Sequence, residues 1–318
     1  NTTTETSILQ KANKDYGTVA YVIIKNDSIW FENYYDGYKK DSKSNSFSMA
    51  KSYVSGLMGK AIMDGYIKSL DQPVCDFLPA FCDGDAAKMT VGDLSSMASG
   101  TNWDEAYYSP LSITTRAYFD DDLQKVMNGL KVVTAPGQAF KYASGDTQML
   151  AMVIEKATGK KMYDYLTESF WKPLGSENET LWQVDSETHD LVKAYCCIAS
   201  NAKDFARFGK LYKDHGKWNG KQLLDSSFVA LMKTPNTAAF SSEVQPIYGY
   251  SLWLDYDHET PFYSLIGHLG QYIAIIPSHN MIVVRVGKNR DKRDTKKGIL
   301  PGNDLYYYVD EAVKMIEK

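Results

Sequence analysis

The apolar positions of this chain change their period twice. Residues 18–24 (Thr-Val-Ala-Tyr-Val-Ile-Ile) and 28–33 (Ser-Ile-Trp-Phe-Glu-Asn) carry β-branched and aromatic residues in short runs and read as strands, with Lys25-Asn26-Asp27 as a hairpin turn. A loop rich in Lys, Ser and Tyr leads to a segment from Ser48 to about Gly65 that is small and apolar nearly all round, the pattern of a buried helix. Helical spacing then predicts a short helix over 90–98, a strong one over 145–158 closed by Gly159, and others over 161–170, 201–214 and 221–233. In the 201–214 helix Phe205, Phe208 and Leu211 should face inward, with Ser200 as the N-cap. Residues 101–140 are aromatic and irregular. The strand pattern returns over 249–255, 271–276 and 281–287, with Pro277-Ser-His-Asn as a turn, and a last helix is expected over 303–317.

Strands at both ends and helices between them predict an α/β (α+β) fold: one antiparallel sheet built from the two ends, covered by the first and last helices. The expected division is a sheet subdomain from 1–75 and 240–318 and a mainly helical subdomain over 76–239, forming a single catalytic unit. A cleft is expected where the two meet.

Composition narrows the function without naming it. A chain of 318 residues can bury a large core, and a net charge of -4 gives no reason to expect nucleic acid. No apolar run approaches the ~20 residues that cross a bilayer, so no transmembrane segment is expected. The chain begins Asn1-Thr2-Thr3 without Met, which reads as processing or trimming. Cys75 and Cys82 flank a short Pro-containing segment and Cys196 and Cys197 are adjacent. Neither pair has metal-site spacing, so no metal or other cofactor is expected. A Cys75–Cys82 disulfide and two ordinary thiols are both open; the disulfide would suit a periplasmic or secreted protein, free thiols a cytoplasmic one.

Three short stretches carry chemistry. The first is Ser48-Met49-Ala50-Lys51. On a helix, i and i+3 share a face with Cβ atoms roughly 5–6 Å apart, so a hydroxyl and an amine meet there. A Ser hydroxyl is a weak nucleophile without a base beside it, and a Lys in a dry site can accept a proton. The spacing alone is weak, because Ser169/Lys172 and Ser200/Lys203 share it. Lys172 precedes Pro173, which places that pair at a helix end, and Ser200 reads as a cap. Only Lys51 would begin a buried helix, where an ammonium must be paired or used. The second stretch is Tyr142-Ala143-Ser144, in a loop just before a helix, where a phenol near an ammonium could relay a proton. The third is Gly267-His268-Leu269-Gly270-Gln271-Tyr272, whose glycines beside a strand edge allow close backbone approach, either for substrate or for a plain β-bulge. With five His and no Gly-x-Ser-x-Gly elbow, a Ser-His-Asp triad is not indicated.

These three motifs, in this order, resemble those of the serine hydrolases of the class C β-lactamase and penicillin-binding superfamily, closest to the esterase and 6-aminohexanoate-dimer (nylon-oligomer) hydrolase branch. The resemblance runs from about residue 16 to the end and includes Leu70-Asp-Gln-Pro-Val, Thr90-Val-Gly-Asp-Leu-Ser-Ser-Met-Ala-Ser-Gly, Cys196-Cys-Ile-Ala-Ser-Asn-Ala-Lys-Asp-Phe-Ala-Arg-Phe-Gly and Trp218-Asn-Gly-Lys-Gln-Leu-Leu. It implies Ser48 as the acylated nucleophile, Lys51 as its proton acceptor and Tyr142 as the relay to the leaving group, with Lys51 and Tyr142 both open as the immediate base. Ser144 stands where many relatives have Asn, and would bond to Lys51 or substrate. The third motif is either Leu265-Ile266-Gly267 or His268-Leu269-Gly270. The first register makes the His268 N–H the second oxyanion donor beside that of Ser48; the second makes it Gln271. With Leu265 where relatives carry a cation, anionic lactams should bind poorly, and a small neutral ester or linear amide fits better. Tyr107, Tyr108, Trp103 and Tyr118 are candidates for the wall of an acyl pocket or for ordinary packing. The rival readings are a β-lactamase or D,D-peptidase, and a non-catalytic sensor that kept the fold. The only partner expected is the small-molecule substrate.

Overall fold

The computed structural model describes residues 4–107, 109–236, 247–291 and 302–317. Tyr108 and the domain boundary expected at residue 240 lie outside the described residues. The main sheet contains β1 (Thr18–Lys25), β2 (Ser28–Tyr34), β3 (Ile247–Tyr248), β4 (Trp253–Asp255), β5 (Phe262–Gly267), β6 (Gln271–Ile276) and β7 (Met281–Gly287). The helices are α1 (Ser7–Asp15), α2 (Ala50–Met63), α3 (Val91–Ser95), α4 (Ile113–Phe119), α5 (Leu123–Asn128), α6 (Ser144–Thr158), α7 (Met162–Leu166), α8 (Ala202–Lys213), α9 (Ser226–Met232) and α10 (Asn303–Glu317).

The sheet order is β2-β1-β7-β6-β5-β4-β3, and every neighbouring pair is antiparallel. The two chain ends are joined at β1 and β7, in a register that sets Val22 opposite Val284 and Ile23 opposite Val283. Successive side chains of a strand point to opposite faces. Tyr21 and Ile23 therefore pack under α1 and α10 with Leu9, Tyr272, Tyr308 and Val309. Val22 and Val284 face α2 and α8 and share a core with Tyr53, Leu57, Phe205 and Phe208. The fold is thus the α/β type expected from the sequence, an antiparallel sheet flanked by helices.

Several local expectations are corrected. The 221–233 segment is not one helix: 221–222 pairs with 217–218, and α9 starts at Ser226 because the Asp225 carboxylate accepts from the Ser227 and Phe228 N–H groups. The 249–255 strand is broken. Gly249 packs against the Met232 carbonyl and Ser251 takes φ 58°, so the chain turns between β3 and β4. Ser200 is not the cap of α8. It ends a short strand, Ile198–Ser200, and Asn201 caps the helix by accepting from the Asp204 N–H. β5 is an additional strand, buried along its whole length like β6 and β7, but with one β-branched residue where those two carry runs of Ile and Val.

Candidate active site

The first candidate pair sits where several constraints meet. Ser46, just before it, donates its N–H to the Ile198 carbonyl at 2.7 Å, and its hydroxyl accepts from the Ile198 N–H at 3.2 Å. On the other side Gly267, at the end of β5, lies so close that a Cβ there would be 2.2 Å from the Ser46 carbonyl oxygen. Phe47 adopts φ 45°, in the left-handed region that a side chain rarely occupies. Such backbone conformations persist only where the surroundings impose them. A tight turn over Phe47–Met49 then runs into α2, with Ser48 at its centre and Lys51 in the first helical turn.

Lys51 is 1% exposed. Its Nζ donates to Ser48 Oγ at 3.0 Å and to the Tyr195 carbonyl at 2.9 Å. The same nitrogen lies 5.0 Å from the centre of the Tyr142 ring and 6.0 Å from that of Tyr195. Ring faces carry negative charge density and favour the polar hydrogens of a buried amine; among the described residues no carboxylate forms an ion pair with it. Tyr142 is fixed in turn by stacking on Trp253 at 5.6 Å and by an edge contact with Tyr248 at 6.3 Å. The backbone beside it is pinned by Met97, whose carbonyl accepts from the Lys141 N–H and whose sulfur accepts from the Ala143 N–H. Ser48, Lys51 and Tyr142 are therefore brought together, the first two in direct hydrogen bond.

Ser144 reaches the same cleft but its polar atoms are aimed elsewhere. Its N–H donates to Glu105 at 2.9 Å and its hydroxyl also donates to that carboxylate, not to Lys51. Glu105 further accepts from the Trp103 indole and the Tyr107 phenol. Tyr107 is half exposed, yet partial desolvation and then the neighbouring Glu105 charge raise its phenol above the ordinary pKa, so it stays a donor. Glu105 was not among the residues the motifs pointed to. The available signal is local: an acid flanked at two residues on either side by aromatic rings with polar hydrogens.

The third motif is the hairpin between β5 and β6, with Gly267 opposite Gln271. The His268 ring stacks on Tyr107 at 5.9 Å and meets Phe47 edge-on at 5.7 Å. The Gln271 side chain is turned away into the sheet, bonded to the Gly287 carbonyl at 2.6 Å and the Gly287 N–H at 3.1 Å. The hairpin is braced from below by Arg285, a buried guanidinium that donates to the Gly270 carbonyl at 2.7 Å and the Leu269 carbonyl at 3.1 Å.

A cavity of about 210 Å³ opens over these residues. Ser48, Ser144 and His268 line it, with walls from Phe47, Tyr107, Tyr118, Phe119 and Tyr195. Of the proposed wall aromatics, Tyr107 and Tyr118 are in place. Trp103 takes the packing alternative: it is fully buried against Gly145, where a Cβ would come within 2.5 Å of the indole. Cys196 and Cys197 are joined in a disulfide and complete the wall, a pairing that their adjacency alone did not suggest. Cys75 and Cys82 are also disulfide-bonded. Among the described residues no cluster of three or more His, Cys, Asp or Glu is placed to hold a metal ion. Among them, too, no helix is long and apolar enough to cross a membrane.

An amine held against a hydroxyl in a dry crevice, beside a phenol and at the start of a helix, is suited to deprotonating that hydroxyl. Comparison with known proteins agrees with the family this geometry suggests. The β-lactamase family model matches residues 7–299. A 6-aminohexanoate-dimer hydrolase of Paenarthrobacter ureafaciens is 22% identical over 87% of this chain and 74% of its own length. A solved structure from Bacillus anthracis, whose name gives 6-aminohexanoate-dimer hydrolase as a provisional assignment, superposes with a TM-score of 0.83 at 23% identity, covering 97% of this chain and 82% of that one. The structure of EstCE1, described as a hydrolase with promiscuous acyltransferase activity, gives a TM-score of 0.74 at 16% identity over 96% of this chain and 97% of its own. With its sequence matched from residue 7 to residue 299, this chain belongs to the β-lactamase family.

Proposed function

We propose that the protein is a serine hydrolase that works through an acyl-enzyme on a small neutral ester or linear amide. One observation carries the reading: a fully covered Lys51 amine nitrogen 3.0 Å from Ser48 Oγ, which itself lines the cavity. In this mechanism Ser48 Oγ attacks the substrate carbonyl while Lys51, with Tyr142 beside it, takes the hydroxyl proton. The N–H groups of Ser48 and His268 receive the oxyanion. Tyr142 returns the proton to the leaving oxygen or nitrogen, and water then attacks the acyl carbon by the reverse path, freeing the acid. Such coupled groups share their protons, so Lys51 and Tyr142 act as a unit.

The walls support the choice of substrate. The cavity is bounded mainly by rings and by a disulfide, and Leu265, at the position where a cation would meet a substrate carboxylate, is fully buried. An apolar acyl group with no charge near the scissile bond is the best match. Two disulfides support an oxidising compartment, periplasmic or extracellular.

The test is Ser48→Ala assayed on p-nitrophenyl acetate, with fluorophosphonate labelling of both proteins followed by intact mass. Loss of turnover and of the adduct in a folded variant is the expected result. Retained turnover in Ser48→Ala refutes the mechanism. A stable adduct without turnover in the unaltered enzyme favours a sensor, and faster turnover of a chromogenic cephalosporin than of any ester or linear amide favours a β-lactamase.

A further inference from the structure

We propose that the Cys196–Cys197 disulfide is a working part of the cleft: it fixes the Tyr195 carbonyl that holds Lys51 against Ser48, so turnover depends on this bond being closed. The inference rests on reading Ser48 and Lys51 as the acylating pair.

Three observations converge on it. First, both cysteines line the same cavity as Ser48 and His268, and they are only 7% and 4% exposed. The bond is a wall of the candidate site, reached through the cavity. Second, the residue immediately before it, Tyr195, supplies the carbonyl that accepts from Lys51 Nζ at 2.9 Å. Of the two hydrogen bonds that aim the amine, one ends on Ser48 and the other on the backbone next to the disulfide. Third, Cys197 has φ 75°, in the left-handed region. A two-residue ring restricts the backbone it closes. Once opened, it leaves an ordinary L-residue in a conformation that its own Cβ disfavours. The chain can then relax, and the atom nearest the relaxation that matters for chemistry is the Tyr195 oxygen.

The neighbouring contacts show where movement would be felt. The Cys196 carbonyl accepts from the Trp182 indole at 3.0 Å and the Cys197 carbonyl from the Gln183 N–H at 3.2 Å. Farther back, the Gln148 side chain accepts from the Ala194 N–H at 2.8 Å and donates to the Val192 carbonyl at 2.9 Å. Ala194 is anchored by a side chain of α6, whereas Tyr195 lies between that anchor and the ring. The Cys75–Cys82 bond sits elsewhere, with Cys82 exposed and neither residue lining the cavity, so it serves as an internal contrast.

The reaction needs a two-electron donor, and a small dithiol supplies it. One thiolate attacks a sulfur of the pair, the Sγ–Sγ bond breaks, and a mixed disulfide forms. The second thiol closes the reagent into its cyclic disulfide, leaving Cys196 and Cys197 as two thiols with the two protons. A small reagent enters by the cavity, so a bulky phosphonate on Ser48 should slow the step.

The experiment uses enzyme purified without reductant, as such and in a Cys75→Ser/Cys82→Ser background. Should that background fail to fold, alkylation and peptide mass mapping of the unaltered chain identify which bond has opened. Dithiothreitol is titrated in, turnover of p-nitrophenyl acetate is measured, and trapped thiols are counted. Opening Cys196–Cys197 should lower kcat about tenfold with little change in KM, inside the roughly hundredfold loss that a 1 Å misplacement can cause. Diamide should restore the activity. Backbone conformation, not sulfur chemistry, is the proposed cause, which a second pair of variants checks. Cys196→Ala/Cys197→Gly should ignore dithiothreitol and turn over faster than the corresponding double-Ala variant, because glycine adopts this φ freely; equal kcat in the two variants overturns the backbone account. Cys196→Ala/Cys197→Ala should show the low kcat of the reduced enzyme. Unchanged kcat in enzyme with both thiols mapped as free overturns the inference while leaving a Ser48 adduct, and so the proposed function, intact. Free thiols at 196 and 197 in fully active untreated enzyme overturn it as well. Absence of a Ser48 adduct in the oxidised enzyme overturns both.

Discussion

Ser48/Lys51 and Ser200/Lys203 share a spacing and stand at the starts of two helices in one core, yet only one pair forms a hydrogen bond. Every residue of α2 from Ala50 to Gly59 is buried, so Lys51 has no route to water and turns back onto Ser48 Oγ. α8 is amphipathic, with Ala202, Asp204, Phe205, Phe208 and Leu211 inward. Lys203 points outward and lies 3.7 Å from Glu32, its side chain 22% exposed. Ser200 is in the preceding strand, not in the helix, and its buried hydroxyl has no hydrogen-bond partner among the described residues. The difference lies in what covers the lysine, and whether the serine is inside the helical turn that would bring the two together.

The sharpest way to break this comparison is to remove both amines. Lys51→Met should cost on the order of 10³-fold in kcat/KM, the middle of the range for removing a positioned general base. Stability should change little, because an apolar chain of similar length fills the space of the buried polar one. Lys203→Met should leave kcat/KM within about twofold and stability within ~1 kcal/mol, as for a partly exposed ion pair. Steady-state kinetics and thermal melts of the two variants decide it, and equal losses would erase the distinction.

A second difference is the clamp. The backbone before Ser48 is held from both sides, by Ile198 and by Gly267. Gly267→Ala puts a methyl 2.2 Å from the Ser46 carbonyl oxygen, too close for any contact, so β5 or the 46–48 turn must shift. The expected loss is about 10²-fold in kcat, with a destabilisation of ~1–3 kcal/mol, typical of overpacking. Gly209→Ala, on α8, is its counterpart away from the site. There a Cβ meets the Ile273 side chain at 2.7 Å, so stability should fall while kcat holds. A Gly267→Ala enzyme with full kcat would show that this approach does not set the position of Ser48.

The same contrast explains how much of the molecule was legible in its sequence. Local patterns carried far. The hairpin at Lys25-Asn26-Asp27, the buried helix after Ser48, the helix closed by Gly159 and the last helix all follow from period and cap chemistry. The resemblance brought three distant motifs to one cleft, and the cavity does contain Ser48, Ser144 and His268. What stayed hidden depends on contacts between segments with no common period. Glu105 gains its place only when residues 103–107 fold against the start of α6. Tyr195 matters because a backbone carbonyl, which has no sequence signature, faces Lys51. The Cys196–Cys197 bond was invisible for another reason: adjacency says nothing of pairing until the backbone between the two sulfurs is known. β5 was missed because, unlike the equally buried β6 and β7, it has a single β-branched residue and no run of Ile and Val to mark it.

The smallest expected effect on turnover, one confined to stability, separates the buried carboxylates in the first turns of α6 and α8. Asp204 is paired, with Arg207 Nε at 3.2 Å, Asn201 Nδ2 at 2.6 Å and the Glu177 N–H at 3.1 Å. Asp146, fully buried two residues after Ser144, has no such cation and accepts from the Ser99 hydroxyl at 2.6 Å. Burial raises its pKa to about 8, outweighing the Ser99 hydrogen bonds that pull it down. A carboxyl whose folded pKa lies above its unfolded one binds a proton in the folded state that it has released in the unfolded state. Its favourable contribution is complete below the unfolded value near 3.8 and is lost as pH rises through about 8. Asp146→Asn keeps an acceptor for Ser99 and cannot ionise. Thermal melts should therefore show the Asn variant gaining on the unaltered protein steadily from pH 4 to pH 8 and levelling above. Between the two values the gain should grow by up to ~1.4 kcal/mol for each pH unit, the worth of a tenfold difference in proton affinity between the folded and unfolded chains. Asp204→Asn should instead be destabilised by ~1–3 kcal/mol at pH 7, the cost of weakening a charged network around Arg207. A pH-independent difference between Asp146→Asn and the unaltered protein would mean that this carboxylate is compensated by a charge nearer than Lys141. The first turn that carries Ser144 would then be built like that of α8 after all.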